Sequence, residues 1–474
     1  MSPKKILKFA VGPVGLGLLG FVSVPLISWF FTPEDLGVFA MLQVAQGVGL
    51  MLFSLGLDQA YAREFHQASN RAALFLRCAV PGFGLVLAFF LAAGAYGFEK
   101  IAALVYGVND SLLGLVTWLG LFFGYVLRYV ALLLRMNERA LEFSFTQLLP
   151  KVVFLLIVLV VAVSEFPRTY LGLAVAHVSG FAFAALFFIY STKTLWTPST
   201  WSVDEQEMYW SLLKYALPLV ITGLAAWGLR AVDKVALRLF SSLAELGIYS
   251  VAVTVAGGVA IIASIFNTIW SPIVYRMAAD GKSTNDLVFA GRVVEVIVFL
   301  LLICTGLFSW MISYLVPVEY SAVGVLLPLC VFAPLIYSLS EAMTIGINLV
   351  RRTGYALIAT VVAFGVALLL SYILVPAVGA AGAGVSTASA FCFYLILRFE
   401  FSSLVWVRQP RLRVYSMVLS CLAVAIFNAL SDETVHHQRE IIWLITGLLG
   451  TFFYKKEFKY LAGAAKTIVN GGFR

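Results

Sequence analysis

Four charged residues stand on one face of one apolar stretch. Arg230, Asp233, Lys234 and Arg238 fall at i, i+3, i+4 and i+8 within residues 212–239, the spacing of a single helical stripe. In a bilayer such charges are costly unless they are paired or face water, so the stripe is a candidate path for an anionic substrate or a coupling ion. A second reading stays open, in which Arg230 and Asp233 neutralise each other while Arg238 and Lys234 snorkel to the outer interface. Arg128 lies about two turns from Arg135, within snorkelling reach of the inner interface but also placed for a cavity. Glu341 stands ten residues before Arg351, hence about 15 Å deep. It is protonated, paired with a base, or a site of proton coupling. His177 is either a titrating group or a hydrogen-bonding bridge between helices, and Asp58 closes an apolar run as a cavity or an interface residue.

These residues need a membrane scaffold, and the composition supplies one. With 62% apolar residues, 12% charged residues and a mean hydropathy of +0.97, the chain cannot build a water-facing surface all round. Its apolar runs are continuous rather than alternating, which excludes a transmembrane barrel and predicts an all-α polytopic membrane protein. Fourteen spans are expected, at about 6–31, 37–58, 74–97, 111–134, 144–163, 170–192, 212–239, 245–275, 287–312, 321–350, 355–375, 377–400, 411–430 and 439–454. The first is too long for a secretory signal and lacks a small-residue cleavage site; Pro13 and Pro25 predict that it bends.

The chain repeats itself. Ile6-Leu7-Lys8-Phe9-Ala10-Val11 returns as Leu212-Leu213-Lys214-Tyr215-Ala216-Leu217, and Leu36-Gly37-Val38-Phe39 as Leu246-Gly247-Ile248-Tyr249. Gly172, Val175, Ser179, Phe181 and Phe183 meet Gly382, Val385, Ser389, Phe391 and Phe393. The expected organisation is therefore a six-helix lobe over 1–192, a cytoplasmic linker over 193–211, and a second six-helix lobe over 212–404. An extra helix pair over 411–454 and a basic tail over 455–474 complete it. An even number of spans per copy relates the lobes by a pseudo-twofold along the membrane normal.

Basic residues give the orientation. With the N-terminus inside, the cytoplasmic segments hold Lys4, Lys5 and Lys8, then Arg63, Arg71 and Arg77, then Arg135, Arg139 and Lys151, then Lys193 and Lys214. They continue through Arg276, Lys282 and Arg292, Arg351 and Arg352, Arg398, Arg408, Arg411 and Arg413, to Lys455, Lys456, Lys459, Lys466 and Arg474. The outer loops hold only Lys100, Arg168 and Arg439, so both termini are placed in the cytoplasm. The net charge of +8 then follows from topology and attraction to anionic membrane lipids, and calls for no nucleic acid.

Other motifs carry little chemistry. Gly15-x-Gly17-x-x-Gly20 spells a dinucleotide fingerprint but lies inside a span with no strand before it, so helix packing or bending is expected. Gly281-Lys282-Ser283 ends like a phosphate loop, yet Arg276 stands where its first glycine belongs. Gly120-x-x-x-Gly124 suits a close helix contact. Cys78, Cys304, Cys330, Cys392 and Cys421 lie singly among apolar residues, as packing groups. No paired carboxylates or metal-ligand spacing mark an enzyme, a metal site or a cofactor, and transport is the better reading. The deep cations Arg128, Arg230, Lys234 and Arg238 outnumber Asp233 and Glu341, which suits a pyrophosphate and suits a cationic drug poorly.

Phe31-Thr32-Pro33-Glu34-Asp35-Leu36-Gly37-Val38-Phe39, Leu213-Lys214-Tyr215-Ala216-Leu217-Pro218-Leu219 and Asp233-Lys234 with Ala244-Glu245-Leu246-Gly247-Ile248-Tyr249 resemble the polysaccharide flippases, or O-antigen translocases. These belong to the multidrug/oligosaccharidyl-lipid/polysaccharide exporter superfamily. Val378-Gly379-Ala380-Ala381-Gly382-Ala383 extends the resemblance to the twelfth span. It implies alternating access between two lobes in the bacterial inner membrane. It also implies translocation of a polyprenyl-pyrophosphate-linked oligosaccharide, a surface polysaccharide unit of the O-antigen or exopolysaccharide kind, to the periplasmic leaflet. By the same resemblance Arg128, Arg230 and Lys234 bind the substrate; Asp233, Glu341, His177 and Asp58 are candidate coupling or cavity residues from their own position and charge. H⁺ or Na⁺ is admitted as the coupling ion, and glycan polymerase machinery as a partner. The competing readings are an ion-coupled multidrug antiporter of the same superfamily, which would want deep acids in the first lobe, and a lipid II flippase.

Overall fold

A computed structural model describes residues 3–68, 70–164, 167–195, 206–280, 284–431, 436–455 and 457. Residues 196–205 of the expected linker, the Gly281-Lys282-Ser283 motif and nearly all of the basic tail lie outside the described residues. All regular structure among the described residues is helical. Eleven helices are long and apolar enough to cross a membrane, and the chain is a multi-pass membrane protein.

The chain divides into two compact units, residues 1–250 and 251–474. The first holds α1 (Pro3–Ser28), α2 (Pro33–Ser54), α3 (Leu57–Glu64), α4 (Arg71–Tyr96), α5 (Phe98–Tyr106), α6 (Ser111–Met136), α7 (Ala140–Val163), α8 (Tyr170–Ser191), α9 (Gln206–Phe240) and the start of α10 (Leu243–Ala279). The second holds the rest of α10, then α11 (Thr284–Phe308), α12 (Ala322–Met343), α13 (Gly346–Leu349), α14 (Gly354–Val405), α15 (Arg411–Leu430) and α16 (His436–Phe453). The duplication passes from its first to its second copy before α9, whereas α9 and the first turns of α10 pack with the first unit.

Each expected span falls on a helix, with local differences. α2 stops early because Leu55 and Gly56 take left-handed conformations, φ 51° and 68°. Gly56 can afford this, and a Cβ there would stand only 2.6 Å from the carbonyl oxygen of Ala216. Asp58 therefore belongs to the first turn of a separate helix, α3. The spans 355–375 and 377–400 fall on one helix, α14, broken where Val378 leaves the helical region and Gly379 takes φ 54° and ψ −128°. Pro376 precedes the break and leaves one backbone acceptor without its donor. Pro13 and Pro25 both lie inside α1.

Helix starts are written in the sequence of both copies. Thr32 accepts a hydrogen bond from the backbone N–H of Asp35, and the Asp35 carboxylate receives the Thr32 N–H, a capping box that opens α2. Ser242 accepts from the N–H of Glu245 at 3.2 Å where α10 begins. Asp35 is used twice, since it also accepts the N–H of Tyr170 at 2.7 Å, while the Tyr170 hydroxyl donates to Asp110 at 3.1 Å. These bonds tie the N-terminal ends of α2, α6 and α8 together.

Glycines set the closest helix contacts in the first unit. Gly120 and Gly124 of α6 face Gln46 and Leu50 of α2, as the small-xxx-small spacing predicts. Gly12 and Gly15 of α1 face Gln147 and Leu148 of α7, so of the fingerprint-like glycines Gly15 serves packing, whereas Gly20 has no neighbour within 4 Å of where its Cβ would stand. α2 runs along α9, with Met51 against Gly223 and Gly47 against Trp227. At the end of this seam Gly37 abuts the carbonyl of Leu243, and Gly247 abuts the carbonyl of Pro33. Four cysteines are buried and Cys304 is exposed, all as free thiols.

Candidate functional site: paired charges within the membrane helices

Most of the intramembrane charges bring their counter-charge with them. Arg128 on α6 donates to the Asp58 carboxylate at 2.6 Å. The acid is almost wholly buried, with 9% of its side chain exposed, while the guanidinium keeps 38%. Placing Asp58 on a short helix after the α2 break is what lets it reach Arg128. One nitrogen of Arg128, Nη2, is thus held by the acid and Nε is buried, while the side chain as a whole stays partly exposed.

The α9 stripe divides along its length. Asp233 is buried and accepts the Tyr249 hydroxyl at 2.7 Å. The Lys234 ammonium lies 3.7 Å from the same carboxylate and 5.8 Å from the centre of the Tyr249 ring. Tyr249 belongs to the repeated Leu246-Gly247-Ile248-Tyr249 motif, so one duplicated segment supplies both the close-packing glycine and the donor to Asp233. Arg230 is exposed on α9. Arg238 donates to the Ala103 carbonyl at the end of α5, at 3.4 Å, and packs against Gly107. It is docked on backbone at the C-terminal end of the stripe.

Glu341 has a partner that was read from sequence as a cytoplasmic residue. Arg398 on α14 donates to the Glu341 carboxylate and, at 2.9 Å, to the Tyr394 hydroxyl. It keeps only 2% side-chain exposure, against 23% for Glu341. The sequence places the end of the span near Arg398, but α14 continues to Val405 and the guanidinium is buried against α12. Glu341 stands two residues before the end of α12 at Met343, so the ten residues to Arg351 are not one continuous helix and the depth expected from them does not hold. Of the three readings open for Glu341, pairing with a base is the one found. Asp58 and Arg398 add one acid and one cation to the deep charges, and the buried Glu295 of α11 adds a further acid.

His177 bridges helices, its Nε2 lying 2.8 Å from Gln46 Oε1. Its ring packs edge-on against Phe39 and Phe154.

A further cluster escaped the sequence reading. Glu295 on α11 is fully buried and accepts the Tyr454 hydroxyl at 2.6 Å, with Arg413 3.7 Å away. Arg413 also pairs with Glu457 at 2.9 Å. The cluster fastens α15 and the end of α16 to α11. Its signal was Glu295 itself, an acid inside an apolar run, disguised by Arg292 one turn away. Arg439, assigned to an outer loop, is buried and donates to the Ser431 hydroxyl at 3.0 Å and to the Ser431 carbonyl, closing α15.

This architecture recurs in solved structures of membrane transporters. A lipid II flippase, MurJ, in an inward closed conformation superposes with a TM-score of 0.67, over 94% of this chain and 98% of that one, at 12% identity. An inward-facing multidrug resistance MATE family transporter of the MOP superfamily gives a TM-score of 0.59, over 85% and 95%, at 16% identity. At these identities the likeness is one of fold. By sequence, residues 4–278 match the family model described as polysaccharide biosynthesis protein, which is more than half of the chain. The chain belongs to that family. No curated protein matches it significantly by sequence.

Proposed function

We propose that the chain is a flippase for a polyprenyl-pyrophosphate-linked oligosaccharide, carrying it from the cytoplasmic to the periplasmic leaflet of a bacterial inner membrane by alternating access. The observation that carries this reading is Arg128, a partly exposed cation held in place by a buried acid. It is the sole charge in α6 between Ser111 and Leu134. In a family of polysaccharide biosynthesis proteins, a fixed guanidinium in an apolar helix suits a phosphate-bearing headgroup, because its planar fork binds phosphate in a bidentate manner. Arg230 and Lys234 are proposed to complete the binding set. Lys234 would exchange Asp233 for the phosphate, as Arg128 would share itself between Asp58 and the phosphate. Both termini are proposed to be cytoplasmic.

The test is deletion in the native host, with lipid-linked oligosaccharide assayed on each leaflet and drug tolerance measured in parallel. Intermediate trapped on the cytoplasmic leaflet, restored by the parent gene and not by an Arg128→Ala/Arg230→Ala double variant that inserts normally, supports the reading. Normal surface glycan with new drug sensitivity would move the chain to the multidrug exporters. Trapped peptidoglycan precursor would make lipid II the cargo.

A further inference from the structure

A groove of about 560 Å³ runs between α4, α6 and α8, wholly within the first unit. Phe75, Ala79 and Phe83 form one wall, Tyr125 and Tyr129 the other, and Lys193 stands at one end. The two tyrosines turn their hydroxyls into backbone, donating to the carbonyls of Ala79 and Cys78 at 2.7 and 2.8 Å. Their polar atoms are thereby satisfied, and the ring surfaces are left to line the groove. Val80, on its rim, is 53% exposed, so the groove opens outward.

The polar end bears the marks of a membrane interface. Lys193 follows the last turn of α8 and places its ammonium 4.3 Å from the centre of the Tyr190 ring. Tyr190 is itself exposed. An exposed tyrosine and a lysine at a helix end are the residues that anchor a span at the headgroup level. From Phe75 to Phe83 the groove follows α4 for about 12 Å, close to the depth of one leaflet of a hydrocarbon core of about 30 Å.

We infer that this groove is a binding site for an anionic phospholipid, with one acyl chain between α4, α6 and α8 and the phosphate on Lys193. The apolar walls accept a chain, and the single cation selects a negative headgroup. A depth confined to one leaflet fits a phospholipid acyl chain better than a long isoprenoid, which would overrun it. The lining of the groove includes none of Arg128, Arg230 and Lys234, and the proposal does not depend on which substrate is moved.

Native mass spectrometry of the purified full chain, with phosphatidylglycerol and phosphatidylcholine of matched chains, tests the site. The parent should retain phosphatidylglycerol in preference, and Lys193→Gln should cut that preference about fivefold while Lys193→Arg keeps it. Val80→Trp, at an exposed rim position, should reduce adducts of both lipids. Undiminished headgroup preference in Lys193→Gln, or unchanged adducts in Val80→Trp, would overturn the inference. Displacement of phosphatidylglycerol by an equimolar polyprenyl phosphate would also overturn it, and give the groove to the lipid-linked substrate.

Discussion

Gly37 and Gly247 occupy reciprocal positions. A Cβ on Gly37 would run into the carbonyl of Leu243, and a Cβ on Gly247 into the carbonyl of Pro33. The residues on each side are counterparts in the two sequence copies, four positions after Pro33 and four after Leu243. The repeated Leu-Gly motif is therefore the place where the N-terminal turns of α2 and α10 interlock. Neither obstacle is a side chain that can swing away. Gly37→Ala and Gly247→Ala should each destabilise the protein by about 1–3 kcal/mol, read as a lowered unfolding temperature in detergent. Unchanged unfolding in both would show that the helix ends can part without cost.

Arg128→Ala should cost more than Asp58→Asn. The first leaves a buried carboxylate without its cation, whereas the second leaves a partly exposed guanidinium that water can reach. A double variant should regain part of the loss, with a coupling energy of about 0.5–3 kcal/mol. Strict additivity in this cycle would mean that the 2.6 Å contact adds nothing in the membrane. Export should fail in Arg128→Ala and survive in part in Arg128→Lys, which keeps the charge and loses the fork.

Glu341→Gln strands Arg398, which is the more deeply buried partner. A loss of about 3–5 kcal/mol is expected, and Glu341→Gln/Arg398→Met should recover most of it. The pH profile of transport separates this structural role from proton coupling. A parent and a surviving Glu341→Gln variant with the same pH dependence would assign the pair to structure, whereas a flattened profile in the variant would return Glu341 to coupling.

Glu457 lies beyond the last helix and offers a pH test of the cluster that holds the C-terminal helices. Burial alone would raise its pKa, but the Arg413 guanidinium 2.9 Å away outweighs burial and holds the carboxyl below the usual range. A depressed folded-state pKa stabilises above the unfolded value, and the contribution is lost as pH falls through the folded one. Protection from hydrogen exchange at the end of α16, taken relative to the intrinsic rate at each pH, should thus be steady near neutrality and fall in acid below the ordinary glutamate range. Glu457→Gln should be less protected at neutral pH and lose that acid-dependent fall. An identical profile in the variant would remove Glu457 from the attachment.

The spans were legible because transmembrane helices are long and apolar, and the α14 break announced itself in Pro376 and Gly379. The α2 break at Leu55 and Gly56 was not, since both residues are at home in an apolar run and the left-handed turn has no polar signature. Of the site, the positions of Arg128, Asp233, Lys234 and Glu341 were legible as charges where charges are costly. Their partners were not. Asp58 and Arg398 stand near apparent span ends, where a charge needs no explanation, and only the three-dimensional course of α3 and α14 carries them inward.

Asp58 and Arg128 both lie in the first compact unit, as do Asp233, Lys234 and Tyr249, while Glu341 and Arg398 both lie in the second. Each unit thus neutralises these charges from its own residues. A displacement of one unit against the other would pull none of these pairs apart in a low-dielectric medium, where separating opposite charges is expensive. These pairs would therefore add no electrostatic cost to such a displacement.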